Sequence, residues 1–288
     1  MSGSKHRVFY ILYGIAATVA FLYFLFPSEK ISRYAETRLA GQLPEATVTI
    51  GSVRPAFPPG LTFSQVIITH QDRRIIEAEW LKVEPNILSM FRSEKILKFK
   101  GRMYQGNLKG KVKLPGGNGE GQLSVDTDFA DIRIETIAAA QEIPGYQLSG
   151  MLDGQIRFNR QGARRSGTAT IGITDSKVVL KSPVFEIDNV AFNFIKLEAD
   201  LKNQTLQIQS CDLMGPQLDG SISGSVNLKS PVGESVLNLN GNFKPHHVFL
   251  ATLKENLPAP LFNPQRAGDE GFPVGLTGRL NDPGFRFR

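Results

Sequence analysis

Few residues in this chain have the types and spacing that chemistry demands. His246 and His247 stand side by side and invite a metal reading. Adjacent side chains point in different directions, however, and no Cys, His or carboxylate set lies near them in the sequence. A surface helix start accounts for them better. Asp126, Asp128 and Asp131 are spaced like the first ligands of a calcium loop, yet the glycine and closing glutamate of such a loop are missing. Asp126 and Asp128 are expected on the wet side of a strand whose dry side carries Val125 and Phe129. Cys211 is the only cysteine, which excludes an intrachain disulfide. It falls in an alternating stretch with Leu206, Ile208 and Leu213, where a small apolar side chain would serve. The glycines recur at strand period with no following Lys-Ser/Thr, so they form no phosphate loop. The sequence therefore predicts no catalytic residue, no metal site and no cofactor, and a protein that is not an enzyme. The net charge of +6 is spread along the chain. Pairs such as Arg73-Arg74 and Arg164-Arg165 are backed by no basic helix and read as solvated turns, so no nucleic-acid partner is expected. Contact with anionic lipid headgroups is the more relevant electrostatic expectation.

The first element that could position anything is an anchor. From Val8 to Phe26 runs VFYILYGIAATVAFLYFLF, without a charged side chain. At about 1.5 Å per residue it is roughly 28 Å long, close to the hydrocarbon thickness of a bilayer. A cleaved signal peptide would need small residues where Leu25, Phe26 and Pro27 stand, and a buried core helix would be amphipathic. Lys5 and Arg7 precede the run, whereas Glu29 and Lys30 after it cancel. The positive-inside rule predicts a cytoplasmic tail (1–7), a transmembrane anchor (8–26) and a translocated domain (27–288). After Pro27, SEKISRYAETRLAGQL places Ile31, Tyr34, Ala35, Leu39 and Leu43 at helical spacing, with Ser28 as its cap and Pro44 as its end. This amphipathic helix is expected near the membrane surface or against the first strands. Asn86 to Phe91 reads as one helical turn.

The rest reads as strands. Tyr104, Gly106, Leu108, Gly110, Val112 and Leu114 are spaced by two. So are Leu148, Gly150, Leu152, Gly154, Ile156 and Phe158, and again Leu218, Gly220, Ile222, Gly224, Val226 and Leu228. Phe272, Val274, Leu276, Gly278 and Leu280 make a fourth copy. Each strand has one dry and one wet face. The first and third copies belong to a duplication offset by 114 residues, about 99–144 and 213–258. Each unit ends in a helical-looking segment, 131–144 or 245–258. The fold expected is mainly β with a few short helices (α+β): a curved antiparallel sheet or groove with internal duplication, preceded by one transmembrane helix. Glycine on the dry face has two readings. One is a bent sheet packed on its own helix. The other is a groove that admits an elongated apolar group such as an acyl chain, with Leu108, Val112, Leu114, Leu152, Gly154, Ile156, Phe158, Ile222, Gly224, Val226, Leu228, Leu276 and Leu280 as its candidate face.

These features resemble a known pattern. The tail, the anchor, the amphipathic helix and TVTIGSVRPAFPPGLTFSQV (47–66) look like the start of AsmA-type envelope proteins. Strands of the form LxGxLxGxIxF, and GLTGRLNDPGFRF (275–287), are similar to the terminal part of AsmA and TamB domains. The length fits a compact relative, the type II secretion system protein N (GspN) family. The resemblance implies a single-pass inner-membrane protein with a cytoplasmic N-terminus and a periplasmic domain, an accessory component of type II secretion with secretion subunits as partners. The alternative it implies is an AsmA-like lipid-binding or lipid-transfer protein that takes phospholipid or another acyl-chain ligand.

Overall fold

The computed structural model describes residues 3–41, 46–70, 73–91, 94–115, 122–141, 145–184, 187–249 and 271–287. The protein is mainly antiparallel β with a few short helices, and the fourteen strands among the described residues follow one another in chain order. Frequent Gly, Pro and Asn between alternating stretches favour such a meander, because each short turn returns the chain beside the strand it has just left. The chain divides into two compact units, Met1–Pro85 and Asn86–Arg288.

The first unit opens with helix α1, Gly3–Phe24, followed by α2, Ser28–Ala40. Among the described residues, no helix is long and apolar enough to cross a membrane. That statement leaves out positions of α1 whose side chains are not described, Val8, Ile15, Ala16, Val19, Ala20 and Leu22 among them. The unbroken apolar run of α1 is a property of its sequence. Phe26 lies beyond the end of α1 and packs against the strands.

Three strands, β1 (Ala46–Ala56), β2 (Gly60–His70) and β3 (Arg73–Pro85), make an antiparallel meander. Val48, Ile50 and Val53 of β1 are buried, and Phe26, Ile31, Ala35, Leu61, Phe63 and Ile68 pack on them. The amphipathic helix thus lies on the first strand, one of its two expected places. Its details differ from expectation. Pro27 occupies the N-cap with no side-chain cap, and the Ser28 hydroxyl instead accepts from the Val53 N–H at 3.3 Å. Glu36 Oε1 accepts from the Ile50 N–H at 2.7 Å. Both side chains are drawn to β1 because it is an edge strand whose outward N–H groups need partners. Tyr34 and Leu39 stay largely exposed; Leu43 and Pro44 lie outside the described residues.

The second unit begins with the expected turn, α3 (Ile87–Met90), capped by Asn86 Oδ1 accepting from the Leu88 N–H. Eleven strands follow: β4 (Lys95–Met103), β5 (Gly106–Leu114), β6 (Leu123–Arg133), β7 (Tyr146–Gln161), β8 (Arg164–Val184) and β9 (Ile187–Lys202) come first. Then come β10 (Thr205–Met214), β11 (Leu218–Asn227), β12 (Val236–Pro245), β13 (Phe272–Arg279) and β14 (Asp282–Phe287). The helix expected over 131–144 is a correction. β6 runs on to Arg133, and only a 3-10 turn (Ile134–Thr136) and the four-residue α4 (Ala138–Gln141) follow. Ile132 is 3% exposed, so burying it on the sheet outweighs the helical preference of the alanines after it. Of the matching segment 245–258, residues 247–249 are helical and those from 250 onward lie outside the described residues.

The stretches 99–144 and 213–258 each contain an antiparallel hairpin, β5–β6 and β11–β12. Their registers differ: Leu108 faces Phe129, whereas Ile222 faces Gly241 in place of Phe243. The shift is two residues, so every side chain keeps its face.

Candidate site: a one-sided apolar face

Directly opposed residues of antiparallel strands point to the same side, so the ladder can be followed across the second unit. One row runs Leu97, Val112, Val125, Phe158, Gly167, Leu201, Leu206, Val226, Leu237 and Gly278. The next runs Phe99, Gly110, Thr127, Ile156, Ala169, Ala199, Ile208, Gly224, Leu239, Leu276 and Phe285. A third runs Gly101, Leu108, Phe129, Gly154, Ile171, Leu197, Cys211, Ile222, Gly241 and Val274. Thr127 is the one polar side chain in the three rows. Register shifts insert an extra residue in β6, β8 and β10 without turning the rows over, and such bulges bend and twist a strand locally.

The other side is polar. Lys98, Lys111, Asp126, Arg157, Thr168, Asp200, Gln207, Ser225, Asn238 and Thr277 form the row behind the first two. Asp126 pairs with both Lys111 (3.2 Å) and Arg157 (3.8 Å), and Asp128 accepts from Gln155. These aspartates join a surface charge network, as their wet-side placement requires.

Every candidate residue from the sequence falls on or continues the apolar rows. Val112, Phe158 and Val226 lie in the first row, Ile156, Gly224 and Leu276 in the second, and Leu108, Gly154 and Ile222 in the third. Leu114, Leu152, Leu228 and Leu280 extend the same side at the row ends by their spacing of two. Burial is uneven. Phe129, Ala199, Val226, Leu237 and Leu239 are buried, whereas Ile156 is 41% exposed and Phe285 69%. Val226, Leu237 and Leu239 form a cluster with Leu206, Ile208, Ile222, Leu228 and Leu276 packed against it. Among the described residues no helix longer than four residues belongs to this unit, so no second layer of that kind covers the rows.

The glycines have a specific reason that the sequence did not reveal. A Cβ on Gly110 would lie 2.6 Å from Phe99 Cζ, one on Gly154 2.8 Å from Phe129 Cζ, and one on Gly220 2.7 Å from Phe243 Cδ1. In each case the ring on the facing residue of the next strand lies over the glycine. The elongated group that glycine admits at these positions is a phenylalanine of the same sheet. Gly224 differs: its φ is +134°, and β12 backbone crowds its open side.

His246 is also better placed than its sequence suggests. Its Nδ1 lies 3.0 Å from the Pro216 carbonyl and its Nε2 3.0 Å from Asp219 Oδ2. Both partners are acceptors, so both ring nitrogens donate and the imidazolium fits best. The hydrogen bond to Asp219, then that to Pro216, hold the His246 pKa above its ordinary value; the same His246 hydrogen bond holds Asp219 below its own. A carboxylate thus does meet this histidine, from 27 residues upstream. Among the described residues no group of three or more His, Cys, Asp or Glu is placed to hold a metal ion. Cys211 is free and half-buried in the third row, and burial raises its thiol pKa.

Comparison with protein families, curated proteins and solved structures gives no match.

Proposed function

We propose that this chain is a non-enzymatic cell-envelope protein that holds acyl chains against the one-sided apolar face of its sheet, beside the membrane in which it is anchored. The observation that carries this reading is the register: three adjacent rows, almost wholly apolar, cross ten or more strands without changing side. Packing within the sheet accounts for the buried part of the face. The half-exposed part, with Ile156 in the middle row, is apolar surface of a kind that marks a binding site. The anchor supports the reading as well, since α1 carries all but the last two residues of the uncharged run 8–26 and would keep the face close to its ligand's source. By the positive-inside rule the N-terminus lies in the cytoplasm and the sheet on the far side of the membrane.

Purification of the full-length chain in a mild nonionic detergent, followed by native mass spectrometry, tests the reading. Phospholipid should accompany the wild type and be lost from Ile156→Glu while the far-ultraviolet circular dichroism stays unchanged. Equal lipid on both proteins contradicts the proposal.

A second reading has its own support, in the motifs at 47–66 and 275–287 that resemble AsmA-type and GspN sequences. On that reading the protein is an accessory component of the type II secretion system and uses its polar face and open strand edge to bind secretion subunits. Crosslinking in intact cells should then capture those subunits; capture of lipid-transport proteins alone favours the first reading.

A further inference from the structure

The apolar rows end in a basic rim. One step beyond Phe158 on β7, Arg160 faces Arg165 of β8 directly across the ladder, on the apolar side. Like charges directly opposed on a sheet repel. One such pair on the polar side is relieved: Lys98 faces Lys111, and Asp126 pairs with Lys111. No acid relieves the arginines, because the next residue outward from Arg160 is Leu123, and the Arg165 N–H and C=O are held by Asn203. Neither guanidinium has a carboxylate partner among the described residues.

The two arginines border a depression of about 320 Å3, with Phe158, Leu201, Leu228 and Lys229 among its other lining residues. Lys229 is set in place by its loop. Its N–H donates to the Ser235 hydroxyl, and Ser235 is fully buried. The loop is tied to the β13–β14 turn by the Leu280 N–H to the Ser235 carbonyl and by the Arg279–Glu234 pair at 2.8 Å. Three cations without carboxylate partners among the described residues therefore border a hollow whose apolar wall is Phe158, Leu201 and Leu228, at the end of a long apolar surface.

We propose that Arg160, Arg165 and Lys229 bind the anionic headgroup of a phospholipid whose acyl chains lie along the apolar rows. This rests on the acyl-chain reading above and adds the headgroup class and its site. A phosphate between the two guanidiniums accepts paired hydrogen bonds and removes their repulsion. The apolar lining beside it distinguishes an amphiphile from a free anion.

The test uses the full-length chain in nonionic detergent, offered phosphatidylglycerol or phosphatidylcholine, with occupancy read by native mass spectrometry. Wild type should prefer phosphatidylglycerol by tenfold or more. The triple variant R160Q/R165Q/K229Q should bind both lipids at the wild-type phosphatidylcholine level. Equal wild-type occupancy by the two lipids, or a preference retained in the triple variant, overturns the headgroup site and leaves acyl-chain binding standing. Failure of either lipid to bind overturns both. Glycerol phosphate should compete only at concentrations at least a hundredfold above the lipid; equal potency would make this a free-anion site and overturn the proposal. Arg165→Gln should also raise the melting temperature of delipidated protein at low ionic strength, and a fall would count against the unrelieved repulsion.

Discussion

Asp219 and His246 show how a residue's chemistry depends on a partner distant in sequence. The raised His246 pKa means that its contribution to stability is complete below the ordinary value of 6.5 and is lost as pH rises through the folded value. The lowered Asp219 pKa means that its contribution is present above 3.8 and is lost as pH falls through its own folded value. A histidine proton titration by NMR should therefore find one ring titrating above 6.5, and Asp219→Asn should bring it down. An unchanged titration would remove the pair. Gly154→Val should destabilise the fold by roughly 1–3 kcal/mol in urea unfolding, because its Cβ would meet the Thr170 carbonyl at 2.5 Å and the Phe129 ring at 2.8 Å. Gly154→Val combined with Phe129→Ala should recover part of that loss. The spacing of the glycines was legible in the sequence. Their purpose was not, because the ring that fills each space belongs to the facing strand and depends on register.

At the scale of elements, alternation revealed the strands and their two faces, and the turn expected over Asn86 to Phe91 is α3. The segment 131–144 misled because its alanines favour helix while Ile132 is needed in the sheet. Ser28 misled in a similar way: a serine after proline has the features of a cap, but an edge strand without a neighbour on that side takes its hydroxyl first. The α2–β1 contact gives a prediction at this scale. Glu36→Ala removes the acceptor of the Ile50 N–H and should destabilise the full chain by about 1–3 kcal/mol in thermal or urea unfolding. Glu36→Gln, which keeps an acceptor oxygen, should lose less. Equal losses would show that the carboxylate's charge, and not the capped edge, is what matters.

For the molecule as a whole, the common face of the β5–β6 and β11–β12 hairpins explains why their register difference is tolerated. A two-residue slip preserves the side on which every apolar residue lies, whereas a one-residue slip would turn the row over. The sequence showed the strands with one dry face each; that these faces align across the second unit depends on hairpin registers that no single strand encodes. Topology has its own test. Protease added to spheroplasts should digest the domain beyond residue 27 and leave the N-terminal tail protected; digestion of the tail instead would reverse the orientation drawn from Lys5 and Arg7. The central claim concerns one face of one sheet, so the most direct measurement compares its two sides. A photoreactive amino acid placed in living cells at position 156, on the apolar face, should form phospholipid adducts. The same group at position 155, on the polar face, should not. Equal adducts at both positions, or none at 156, would contradict the account.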